Sequence, residues 1–101
     1  MMATYLVLVK MTGGGAGVDS EPMKDAIAGG APKSRKLIEQ HGGKLIEIYL
    51  TMGQFDGAAI VEFPDDLSCT QAMLAWSEFG VHTETLRAYP EEEWGAIAAG
   101  I

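Results

Sequence analysis

The run Thr4-Tyr5-Leu6-Val7-Leu8-Val9-Lys10 is apolar at odd and even positions alike and is rich in β-branched and aromatic residues. A strand with one wet face alternates, so a run without alternation predicts a strand covered on both sides. Two covers require a second layer on one face and something else on the other. The chain has 101 residues, enough for one domain over 1–101, and 48% hydrophobic against 21% charged residues supplies a core. Disorder is excluded for most of it.

Charge narrows the partners. Seven Lys and Arg stand against fourteen Asp and Glu, a net charge of −7, and the one basic cluster, Lys33, Arg35 and Lys36, is short and followed at once by Leu37 and Ile38. No nucleic-acid partner is expected, because an acidic surface repels a phosphate backbone. The single cysteine, Cys69, rules out an intrachain disulfide and fits a reducing compartment. Met1-Met2-Ala3-Thr4 carries no basic region, and the apolar run after it is too short for a bilayer span or a signal core. A soluble, cytoplasmic protein without a membrane partner is expected.

Punctuation divides the rest of the chain. Gly13-Gly14-Gly15-Ala16-Gly17 predicts a flexible loop, and no Gly-Lys-Ser or Gly-Lys-Thr closes it as a phosphate loop. Pro22, Met23 and Ile27 predict a short helix that Gly29-Gly30 ends, and Pro32 starts a second helix over Lys33 to Gln40, stopped by Gly42-Gly43. Lys44–Met52 and Asp56–Phe63 predict two strands of a hairpin around Gly53-Gln54-Phe55-Asp56. Asp65 or Asp66 caps a helix to about Phe79, in which Leu67, Met73 or Leu74 and Trp76 or Ser77 leave an apolar stripe near Leu67, Ala72, Leu74 to Ala75 and Phe79. Val81–Tyr89 alternates as a fourth strand, with Thr83, Thr85 and Arg87 on one side, and Pro90 opens a short C-terminal helix. The order β-α-β-β-α-β is the split βαβ, an α+β ferredoxin-like arrangement with an antiparallel sheet ordered 4-1-3-2. Its helices cover one face, so a second copy is expected on the other.

A hairpin tip at Gln54 and Phe55 sets Tyr49 opposite Ile60, Ile48 opposite Val61 and Glu47 opposite Glu62. One face is then wholly apolar, with Ile46, Ile48, Leu50, Ala59, Val61 and Phe63. The other is mixed: Glu47, Tyr49, Thr51 and Glu62 are candidate ligand-binding residues, with Arg87 supplied from the fourth strand of a partner chain, since the second and fourth strands lie about 14 Å apart. The like-charge pair Glu47 and Glu62 is solvated, neutralised by a cation, or protonated. Gly53, Phe55 and Asp56 form a turn in which Asp56 is expected to bond the turn amides. His41, His82 and Cys69 show no metal-ligand spacing, and no metal or cofactor is expected.

Met2-Ala3-Thr4-Tyr5-Leu6-Val7-Leu8-Val9-Lys10-Met11-Thr12, Gly42-Gly43-Lys44-Leu45, Tyr49-Leu50-Thr51-Met52-Gly53-Gln54-Phe55-Asp56 and Thr83-Glu84-Thr85-Leu86-Arg87-Ala88 together resemble the GYD domain family. The Gly-x-Tyr-Asp that names the family stands here as Gly53-Gln54-Phe55-Asp56, which keeps the ring and lacks the phenol. Residues 13 to 31 depart from the pattern. The resemblance implies a small bacterial or archaeal protein of dimeric α/β-barrel type and no particular reaction. Three classes of function follow: a homodimeric or higher-order small-molecule-binding module whose cavity lies between the sheet and the helices or between facing sheets, an assembly protein, or a cofactor-free or haem-dependent monooxygenase-like oxidoreductase by analogy of fold.

Overall fold

A computed structural model describes residues 2–11 and 23–101. The loop predicted at Gly13–Gly17 lies outside them. The elements run β1 (Ala3–Met11), α1 (Met23–Gln40), β2 (Lys44–Leu50), β3 (Gly57–Phe63), α2 (Asp66–Ser77), β4 (Val81–Ala88), a 3-10 turn (Glu91–Glu93) and α3 (Trp94–Ala99). The four strands form one sheet ordered β2-β3-β1-β4 with every pairing antiparallel, which is the α+β ferredoxin-like arrangement expected. Tyr5, Val7 and Val9 of β1 point into a core with Ala59, Val61 and Phe63 of β3, Leu37 and Ile38 of α1, and Cys69, Ala72, Met73 and Trp76 of α2. Leu6 and Leu8 point the other way, onto a face that no helix covers.

Three local expectations are corrected. The first concerns α1, which is one helix over Met23–Gln40 with Pro32 inside it and Gly29-Gly30 uninterrupted. Pro32 removes one intrahelical donor at a point where the helix is largely solvent-exposed, and Ser34 Oγ donates to the Gly30 carbonyl at 2.8 Å just beyond it. Burial of Leu37 and Ile38 then holds the helix to the sheet. Its end is as expected: the Gly43 amide donates to Ile38 O at 3.0 Å and the Gly42 amide to Glu39 O at 3.1 Å, a Schellman closure with Gly42 at φ 81°. A Cβ at Gly29 would meet only Lys33 Cε at 3.8 Å, and one at Gly30 would meet nothing within 4 Å. Gly29→Ala with Gly30→Ala should therefore raise stability by about 1–2 kcal/mol, read as a higher denaturation midpoint with an unchanged m-value.

The second correction is the hairpin register. Tyr49 lies opposite Ala58, Ile48 opposite Ala59 and Glu47 opposite Ile60, and after a bulge at Ile46 the pairs are Leu45 with Val61 and Lys44 with Glu62. Asp56 causes the shift, because its amide donates to Val9 O at 2.8 Å and its Oδ2 accepts from the Met11 amide at 2.7 Å. It is thereby tied to β1, and β3 begins one residue later. The bulge sends Leu45 into the core and leaves Ile46 at the surface. Asp56 thus anchors the loop to the end of β1 rather than bonding the turn's own amides.

The third concerns α2. Asp65 caps it, its Oδ1 accepting from the Ser68 amide at 2.8 Å, and the bonds from Ser68 hold the Asp65 carboxyl below its usual range. The buried line is Cys69, Ala72, Met73 and Trp76, while Leu67, Leu74 and Phe79 are exposed. Rotation is fixed by Asp66, whose Oδ1 accepts the Tyr5 hydroxyl at 2.5 Å and turns the 66-69-73-76 line toward the sheet. Leu67 and Leu74 lie one residue round from that line and face out.

Candidate functional site

Between the helices and one end of the sheet lies a cavity of about 350 Å³. Its floor is Val9, Met11 and Ile48, its sides are Ile27 and Gly30 of α1 and Trp76 with Phe79 at the end of α2, and Val81 closes the β4 side. Missing volume makes it. Gly30 and Ala31 put little bulk on α1, Gly57 puts none on the core face of β3, and α2 stops short at Gly80, whose φ of 82° ends the helix before it covers this corner. The described lining is apolar apart from Lys33, Ser34 and Tyr49, and includes no His, Cys, Asp or Glu.

The predicted candidates divide. Glu47, Tyr49 and Glu62 lie on the uncovered face of the sheet, where Tyr49 is 54% exposed and also borders the cavity. Glu47 and Glu62 do not oppose one another, since Glu47 faces Ile60 and Glu62 faces Lys44. The like-charge pair is dissolved by the register. Thr51 belongs to the loop, its hydroxyl donating to Phe55 O at 2.7 Å and its amide to Asp56 O at 3.0 Å. Gly53 holds that loop at φ 108°, Phe55 is half-buried, and Lys10 Nζ donates to Gln54 O at 3.2 Å. Arg87 is on the opposite side of the sheet from Glu47, Tyr49 and Glu62. It pairs with Tyr5, and its guanidinium sits 5.6 Å from the Tyr5 ring centroid and 4.4 Å from that of Tyr89. A partner across the uncovered face would meet the three β2 and β3 residues and not Arg87.

Around Arg87 a polar groove runs between α2 and β4, with Asp66, Cys69, Thr70 and His82 among its lining. Burial first, then the bond to Asp66, raises the Tyr5 phenol above its ordinary pKa. Burial likewise pushes the Cys69 thiol up to about 11, and at neutral pH it stays a protonated core residue. The His41 ring shares a 2.8 Å bond with Leu37 O, and His82 is exposed, so neither histidine faces the cavity. Among the described residues no three of His, Cys, Asp or Glu gather as metal ligands, and no helix is long and apolar enough to cross a membrane.

The sequence allows a cavity between the sheet and the helices but identifies none of its walls, which are ordinary core residues. Its signal is small residues among the lining, Gly30-Ala31 on α1 and Gly57 on β3.

No curated protein matches the chain. Among solved structures it resembles a protein of unknown function from Rhodopseudomonas palustris, with a TM-score of 0.51 and 18% identity over 88% of this chain and 83% of that one. A protein from Burkholderia cenocepacia described as an amidohydrolase/peptidase aligns at a TM-score of 0.43 and 15% identity, over 87% of this chain and 27% of the other. The first likeness concerns the fold alone. The family model of the GYD domain matches residues 5–98, nearly the whole chain, and the protein belongs to the GYD domain family.

Proposed function

We propose that the protein is a homodimeric binding module that takes an apolar, ring-containing small molecule into the cavity between its helices and its sheet. The cavity of about 350 Å³ carries this reading, being within the ~300–1,000 Å³ range of small-molecule sites and lined by Trp76, Phe79 and aliphatic side chains. The uncovered face supports the dimer: Leu6, Ile60 and Leu86 form one cross-strand row and Leu8, Ala58 and Tyr49 fall in the next, with Leu86 50% exposed. A second copy about a two-fold axis gives β1 the cover its sequence demands.

A thermal-shift screen of aromatic and alicyclic molecules against wild type and Gly30→Phe tests the ligand. A binder should raise the wild-type midpoint by mass action, and Gly30→Phe, whose ring would fill the cavity from α1, should fold and show no shift. Equal shifts in both proteins, or none in wild type, would refute the cavity as the site.

A further inference from the structure

The chain after β4 is held firmly and packs on almost nothing. Arg87 fixes its root: the guanidinium lies between the Tyr5 and Tyr89 rings and donates to Thr4 O at 3.0 Å and to Ala88 O. The Trp94 indole then donates to Tyr89 O at 2.8 Å, and the Glu93 amide to Pro90 O at 2.9 Å. Yet neither the 3-10 turn nor α3 has a buried residue, and α3 packs chiefly on that turn. Trp94, Ile97, Ala98 and Ile101 recur at helical spacing along one side, with Trp94 57%, Ile97 43% and Ile101 101% exposed. A six-residue helix has no stability of its own in water, so an apolar stripe on one implies a surface that receives it.

We infer that residues 90–101 form an arm that docks on a second copy of this chain, at the margin of the partner's uncovered sheet face. This rests on the dimer reading above. The arm leaves β4 at Ala88, in the row that also holds Thr4, Glu62 and Lys44, and so starts at the edge of the face on which that copy sits. Area points to that partner: Trp94, Ile97 and Ile101 are large and exposed, and burying them adds to the ~800 Å² that a stable dimer buries on each side. Exchange is reciprocal, each arm clasping the other body.

Light scattering over a dilution series compares wild type, a chain ending at Tyr89, and full-length Ile97→Asp, a surface change in the single chain that guards against misfolding of the truncated one. Both variants should keep the wild-type circular dichroism and dissociate at concentrations at least tenfold higher than wild type. Trp94 emission, isolated by difference against Trp94→Phe, should move to the red as wild type is diluted through dissociation. A dimeric wild type whose dissociation is unchanged in both variants would overturn the arm and leave the sheet-face dimer standing. A red shift absent on dissociation would overturn it too, since the arm would then fold on its own body or stay in solvent. Wild type monomeric at every concentration would refute the dimer itself.

Discussion

Gly43→Ala is expected to cost about 3 kcal/mol, a fall of roughly 15 °C in the midpoint of thermal unfolding. A Cβ at Gly43 would lie 2.4 Å from Phe63 Cε1, 2.7 Å from Phe63 Cδ1 and 2.8 Å from the Glu62 carbonyl oxygen. None of these can yield cheaply. Phe63 is fully buried, and its ring stands edge-on to Tyr5 at 6.2 Å between centroids, while Glu62 O belongs to a central strand. Gly42→Ala provides the contrast, since its Cβ meets nothing within 4 Å and pays only for φ at 81°, about 1 kcal/mol. Adding Phe63→Leu to Gly43→Ala should cost less than the two single changes together, because the shorter side chain removes part of the clash. Strict additivity in chemical denaturation would show that Gly43 and Phe63 do not press on one another.

Leu6→Asp is expected to weaken self-association on the order of 100-fold while leaving the monomer folded. Leu6 is central on the uncovered face, with Ile60 on one side and Leu86 on the other, and in the single chain it is half-buried. A carboxylate there stays hydrated in the monomer and is stripped of water in the dimer. Val7→Asp is the matching control, one residue along on the core face, where exposure is zero, and it should abolish folding. Sedimentation equilibrium read beside circular dichroism separates the outcomes. Association unaffected by Leu6→Asp would place any dimer contact elsewhere than this face.

The sequence made the fold legible because its signals were strong and mutually consistent: an unalternating β1, the Gly42-Gly43 stop, the Asp65 cap, an alternating β4. Where it misled, a contact distant in sequence overrode a local signal. Asp56 pairs with the end of β1 and shifts the hairpin, the Tyr5 hydroxyl on Asp66 sets the rotation of α2, and packing of Leu37 and Ile38 carries α1 through Gly29, Gly30 and Pro32. None of these contacts leaves a pattern within a ten-residue window. The site was less legible than the fold, because the grouping of Glu47, Tyr49, Thr51 and Glu62 depends on the hairpin register, which Asp56 shifts, and Arg87 joins them only through a partner chain. A cavity built from absent side chains has no polar signature, and it is the fold that sets Gly30 and Gly57 around one space beside the early stop at Gly80.

The most direct test of the binding cavity follows backbone amides and the Trp76 indole by heteronuclear NMR during titration with 2-naphthol, a rigid aromatic small enough for about 350 Å³. Shifts concentrated at Gly30, Ile48, Trp76 and Val81, saturating with added ligand and lost in Gly30→Phe, are the predicted result. Shifts confined to Leu6, Leu8 and Leu86, or none among the cavity residues at saturation of the solution, would contradict it.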